Sequence, residues 1–501
     1  MRWSVPPDDA TVADFAMRLD AHDPLLVCEE PEEDRVITLI DAAASRLQLP
    51  VLVWRAHVGL SKSDEDRPIT GTEDPLHAVA FIDASNREAI YHLRGFDEPL
   101  RDGRVLSRFK EVCRKLQAHR GAVVLSGPVV DLPREIESYA TYFTMPSPTL
   151  AEYRDVVQGV LSDLRATRDV TVALSQSEVK ELYEHIRGLS LSDARRVISL
   201  AVVKDGKLSK EDFEDIREMK RKVLERTGVL SYVSGASDLG HVAGLAQFKD
   251  WIKKRSRAFS DPEGAKKFGL TSARGVLLIG VQGCGKSLAA KAVAGEWKLP
   301  VVRLDPGNLF SKYVGETEKT LRRTLATVES MAPLVLWIDE LEKAFSDSRD
   351  NDGGVSKRLL GSLLAWLQEH RSRVFVVATA NDISSMPPEL LRKGRFDELF
   401  FVDLPETDAR HELFGIHLTT RGRIVDEAAL RLLASETAGF SGAEIEQAVV
   451  AALHAAFSGG EELTADHLLT EVRATTPLSA TMAERIAELR GWAEGRTVRA
   501  D

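Results

Sequence analysis

Residues 276–287 restrict what this chain can fold into more than any other stretch. Val276-Leu277-Leu278-Ile279 is an apolar run of the length of a buried strand. Gly280-Val281-Gln282-Gly283-Cys284-Gly285-Lys286-Ser287 follows at once, and an apolar-periodic helix begins at Leu288. Strand, G-x-x-x-x-G-K-S, helix is the context that a phosphate-binding P-loop requires. Glycines at 280, 283 and 285 let successive backbone N–H groups face one point, where the helix N-terminus adds partial positive charge. Lys286 is expected to reach the β- and γ-phosphates of a nucleotide, and the Ser287 hydroxyl to ligate Mg²⁺.

Two further apolar runs end in polar groups. Leu334-Val335-Leu336-Trp337-Ile338 leads into Asp339-Glu340, and Val374-Phe375-Val376-Val377-Ala378-Thr379-Ala380 leads into Asn381. Runs of this kind read as strands of a parallel sheet buried on both faces, with ligands held at their carboxyl ends. Asp339 is the expected Mg²⁺ partner, since that ion prefers oxygen ligands and keeps several waters. Glu340 is placed to polarise an attacking water. The amide of Asn381 can orient that water. Downstream, Arg392 and Arg395 flank Lys393-Gly394 in a basic turn.

The P-loop, Asp339-Glu340, Asn381 and Leu391-Arg392-Lys393-Gly394-Arg395-Phe396-Asp397, in this order, resemble the AAA ATPases with a second region of homology. The resemblance covers roughly Asp238 to Gly459. It implies ATP as cofactor with Mg²⁺, hydrolysis of ATP, and a hexameric homo-oligomeric ring. It also implies that Arg392 and Arg395 act as fingers on a neighbouring subunit, although that family usually has proline where this chain has Lys393. Lys312-Tyr313-Val314-Gly315 resembles the first pore loop of members that thread proteins, so the implied partner is a protein client. The polar stretch 346–355 sits where a second pore loop would be. Asp238-Leu239-Gly240-His241-Val242-Ala243-Gly244-Leu245 resembles the segment that brackets adenine. Phe414-Gly415-Ile416-His417 and Gly439-Phe440-Ser441-Gly442-Ala443-Glu444 resemble lid elements, with His417 against ribose and base. The whole layout is similar to an AAA family known from chloroplast and cyanobacterial reading frames.

The first half shows an α/β pattern too, with strand-like runs at Leu25–Cys28, Val51–Trp54, Ala89–Leu93 and Ala122–Leu125. A weak repeat links the halves. Val123-Val124-Leu125-Ser126-Gly127 parallels Val377-Ala378-Thr379-Ala380-Asn381, and Gly188-Leu189-Ser190-Leu191-Ser192-Asp193 parallels Gly439 to Glu444. This half reads as a degenerate copy of the module; the alternative is an unrelated α/β recognition domain. Its first strand runs into Glu29-Glu30-Pro31-Glu32-Glu33-Asp34, where five carboxylates replace the glycines and would repel a triphosphate. The expected organisation is an α/β domain over 1–165, a helical lid-like region over 166–227, a linker at 228–237, a P-loop core over 238–410, a helical lid over 411–480 and a tail over 481–501.

A net charge of −11 argues against nonspecific nucleic-acid binding, which needs clustered Lys and Arg. The three cysteines, Cys28, Cys113 and Cys284, are far apart and fit a reducing cytoplasm. No run reaches the roughly 18 apolar residues of a membrane span, and the first residues lack a signal core. The expected protein is a cytoplasmic ATP-hydrolysing ring that remodels or threads proteins, the alternative being a slow ATP-gated scaffold.

Overall fold

A computed structural model describes residues 7–30, 32–63, 67–85, 87–128, 130–225, 228–233, 239–271, 273–307, 317–345, 353–370, 372–392 and 394–501. The chain divides into two compact units, Met1–Lys220 and Arg221–Asp501.

The first unit is built on β1 (Leu25–Glu29), β2 (Val51–Arg55), β3 (Gly59–Lys62), β4 (Ile90–Arg94), β5 (Ala122–Gly127) and β6 (Ala140–Tyr142). Their order across the sheet is β3-β2-β4-β5-β1-β6, with only β3 antiparallel. A short parallel pair, β7 (Thr171–Ala173) and β8 (Lys207–Ser209), stands apart in the helical region. The helix Leu150–Arg165 packs against the helix Leu191–Asp205, and the Tyr153 hydroxyl donates to the Leu189 carbonyl at 2.7 Å. That helix therefore lies with the helical region that follows it.

The second unit holds β9 (Leu230–Val233), β10 (Gly275–Gly280), β11 (Val301–Leu304), β12 (Leu334–Ile338), β13 (Val374–Ala380), β14 (Glu398–Val402) and β15 (Val498–Arg499). The order is β15-β14-β10-β13-β12-β11-β9, parallel except for β9. The run β14-β10-β13-β12-β11 repeats β6-β1-β5-β4-β2 of the first unit, strand for strand in chain order. The parallel sheet expected from the apolar runs is thus present twice, and the first half is a second copy of the module.

Burial explains why these strands read as unbroken apolar runs rather than as alternating ones. Leu277, Ile279, Leu336 and Val376 enter one core, while Val276, Leu278, Val335 and Phe375 enter the core on the opposite face. In the first unit Leu25, Val27 and Val123 face one core and Leu26, Cys28 and Val124 the other.

Two stretches depart from the sequence reading. Residues 230–233 belong to the stretch expected as a linker, yet Leu230-Ser231-Tyr232-Val233 pairs antiparallel with β11 and buries Leu230. The β-prone residues there outweigh the flanking glycine at 228. The stretch expected as a tail forms the helix Ala483–Ala493, inside the span 479–495 that its pattern gives as helical, and departs only in adding β15 to the edge of the main sheet. Among the described residues, no helix is long and apolar enough to cross a membrane.

Candidate functional site

The carboxyl end of β10 passes between β13 and β14, and the close approach there admits only glycine. A Cβ on Gly280 would lie 1.9 Å from the Val402 carbonyl oxygen. Gly285 has φ +86°, a conformation that side chains disfavour, and it starts the helix Lys286–Trp297. Lys286 is buried, with Nζ donating to the carbonyls of Gly280 at 2.8 Å and Val281 at 2.6 Å. Burial lowers its pKa to about 8. Gly280 and Val281 thus seat the lysine, while Gln282, Gly283, Cys284, Gly285, Lys286 and Ser287 line a cavity of about 500 Å³. Burial pushes the Cys284 thiol up to about 12, so that sulfur packs as a small apolar group.

The ends of β12 and β13 bring the carboxylates to the same cavity. Asp339 Oδ1 accepts from Ser287 Oγ at 3.3 Å and from Thr379 Oγ1 at 2.9 Å, and Oδ2 pairs with Arg303 Nη2 at 2.9 Å. The next residue, Glu340, has φ +51° and donates its N–H to Thr379 Oγ1 at 3.0 Å. Its carboxylate accepts from Asn381 Nδ2 at 3.0 Å and pairs with Lys343. The Asn381 N–H in turn donates to Glu342 Oε1 at 2.9 Å, and burial holds the Glu342 carboxyl above its usual range. Thr379 and Arg303 were not singled out in the sequence. Thr379 carries a signal, since it is the one hydroxyl inside the apolar run of β13. Arg303 carries a weaker one, as a lone charge within β11.

The segment 242–245 and the lid helices also border the cavity. Val242 to Leu245, Ala409, Leu413 and His417 line it. His417, on the helix Thr407–Thr420, is half-buried, and burial holds its pKa below the ordinary value. The lid touches the P-loop directly, with Ala443 N–H donating to the Gly283 carbonyl at 3.0 Å. Ser441 fixes that contact by closing a capping box with Glu444 on the helix Gly442–Gly459.

Arg392 and Arg395 are not brought into this cavity. They follow β13 in a turn, Arg392 exposed and Arg395 half-buried, its buried Nε without a hydrogen-bond partner among the described residues. Lys312, Tyr313 and Val314, Lys393, Asp238 and most of 346–355 lie outside the described residues.

In the first unit the loop after β1 also meets the start of a helix. Glu32 stands three residues past the end of β1, as Gly283 stands past β10, and its carboxylate accepts from Leu191 N–H at 2.8 Å and Ser192 N–H at 2.7 Å. Those amides begin the helix Leu191–Asp205, capped by Ser190 as Ser441 caps its counterpart. Buried Arg35, unmarked in the sequence reading, neutralises the surrounding acids by pairing with Glu152 at 3.1 Å and Glu30 at 3.4 Å.

Comparison with known proteins agrees with this geometry. Residues 276–404 match the ATPase family associated with various cellular activities (AAA). Residues 11–145 match the N-terminal domain, and 151–227 the second domain, of SpoVK-like AAA ATPases. The AAA domain-containing protein ycf46 of Guillardia theta is 33% identical over 97% of this chain and 96% of its own. Its counterpart in Pyropia yezoensis is 33% identical over 96% of this chain and 98% of its own. Protein CdcH of Halobacterium salinarum is 37% identical over 46% of this chain and 31% of its own.

Proposed function

Since the chain belongs to the AAA ATPases and shares the full-length layout of the plastid ycf46 AAA proteins, we propose that it hydrolyses Mg²⁺-ATP as a hexameric ring and remodels or threads protein clients. The observation that carries this reading is the convergence of Lys286, Ser287, Asp339, Glu340 and Asn381 on one cavity. Lys286 has a buried ammonium beside the N-terminus of a helix, a donor set that suits phosphate oxygens. One carboxylate and one hydroxyl, Asp339 and Ser287, suit Mg²⁺, a hard cation that keeps much of its water. When bound, that ion would draw charge from the phosphate oxygens. Glu340 accepts a proton from the attacking water, and Asn381, hydrogen-bonded to Glu340, orients the carboxylate and the water together. His417 lines the same cavity from a lid helix and is assigned to ribose and base.

Arg392 and Arg395 do not line their own subunit's cavity, which fits donation to a neighbour. Lys312, Tyr313 and Val314 would grip a client, the aromatic acting through area rather than sequence. A slow ATP-gated scaffold is the second reading. The first unit, whose loop after β1 sets the Glu32 carboxylate against a helix start, is compatible with either reading.

Phosphate release from ATP, followed against protein concentration, tests the ring. Specific activity should rise as subunits assemble, and Arg395→Ala should bind ATP while losing about 10³-fold or more in turnover. Parental turnover by Arg395→Ala at every concentration contradicts the trans-acting finger.

A further inference from the structure

The stretch read as a tail closes the base end of the cavity. After the helix Ala483–Ala493, β15 adds to the edge of the sheet, with Val498 and Arg499 opposite Phe400 and Phe401. Leu489 and Ala493 pack on Phe401. Arg490 grips both oxygens of Asp403 at the end of β14, with Nε 2.8 Å from Oδ2 and Nη2 2.8 Å from Oδ1. The backbone is then locked from both sides. Ala500 N–H donates to the Phe401 carbonyl at 3.0 Å, and the Ala500 carbonyl accepts from Phe248 N–H at 3.0 Å. Ala500 is only 1% exposed. These contacts leave Asp501 little freedom.

Asp501 projects into the cavity wall beside Gly244 and Leu245. Its Oδ1 accepts the N–H of Leu245, a non-glycine residue held at φ +55°. A Cβ on Gly244 would lie 2.7 Å from that same oxygen, so the turn and the carboxylate fit each other closely. Val242, Ala409 and Leu413 line the same cavity, and the Glu412 carboxylate accepts the neighbouring Gly244 N–H at 3.2 Å. A carboxylate is acceptor-only. Oδ1 is engaged by Leu245 and the main-chain oxygen by Gln247 Nε2 at 2.8 Å, so Oδ2 is the side-chain acceptor without a hydrogen bond among the described residues.

We infer that Asp501 reads the base, accepting a hydrogen bond from the exocyclic amine of a purine nucleotide, and that β15 holds it there. The inference rests on the reading of the cavity as a nucleotide site. It makes Asp501 a specificity-determining residue contributed by a part of the chain far from the P-loop in sequence.

The test compares two ligands that differ only in that amine, ADP and purine riboside 5′-diphosphate, by calorimetric titration of the full-length protein. A hydrogen bond to a charged acceptor in a partly dry site predicts that the wild type prefers ADP by about tenfold or more. In Asp501→Ala the preference should fall to within about twofold. In Asp501→Asn, which keeps the shape and a neutral acceptor, it should fall to about threefold. If both variants keep the wild-type preference, or if ADP and its amine-free analogue weaken by the same factor, Asp501 only supports the turn and the inference is overturned. If the wild type binds neither diphosphate, the nucleotide-site reading falls instead.

Discussion

Replacing Lys286 by methionine should change how the stability of the second unit depends on pH. The ammonium is buried, and burial lowers its pKa from the ordinary 10.5 to about 8. The folded chain therefore holds this proton less tightly than the unfolded chain does. Between pH 8 and 10.5 the unfolded chain carries more protons, so stability rises with pH across that window and the cost is fully present below pH 8. At 1.36 kcal/mol per pKa unit, the wild type should gain about 2–3 kcal/mol between pH 7 and pH 10 relative to Lys286→Met. The packing difference between lysine and methionine does not depend on pH, so the change with pH isolates the charge. Urea unfolding without nucleotide, followed by tryptophan fluorescence, measures it. Five of the seven tryptophans (Trp251, Trp297, Trp337, Trp366 and Trp492) lie in the second unit and report on it. In the same assay at pH 7, ATP with Mg²⁺ at 100 times its Kd should stabilise the wild type by about 2.7 kcal/mol and leave Lys286→Met unchanged. A wild-type-minus-variant difference that is flat from pH 7 to pH 10 refutes the reasoning.

Tyr313→Ala should keep ATP hydrolysis while losing remodelling of a verified client, measured as client unfolding by fluorescence; unimpaired remodelling favours the scaffold reading. Glu32→Ala removes the acceptor of two helix-initiating amides, so the first unit should lose about 1–3 kcal/mol in urea unfolding. ATP affinity should stay within about twofold of wild type, because the nucleotide site lies in the second unit, and a larger change would contradict that placement.

The P-loop and the strands around it were legible because each strand is buried on both faces, which leaves an unbroken apolar run with a polar tip. The repeat was legible through short matched stretches, and the shared strand order gives those stretches their meaning. What escaped notice depended on long-range pairing. Arg303 meets Asp339, and Arg35 meets Glu152, across sequence gaps that no local pattern spans. Val498-Arg499 is too short to announce a strand, and it forms one only because the edge of β14 is available to it. Leu230 to Val233 was hidden by the glycine beside it, since local turn signals and strand signals competed there.

The most direct measurement is single-turnover hydrolysis of radiolabelled ATP by the assembled wild type and by Glu340→Gln, with nucleotide affinity measured in parallel. Removing the carboxylate that Asn381 holds should leave ATP binding within a few-fold of wild type and slow turnover by about 10²–10⁴. Hydrolysis by Glu340→Gln at the wild-type rate, or a wild type that binds Mg²⁺-ATP without hydrolysing it, would contradict the assignment of this chain as a hydrolysing AAA protein.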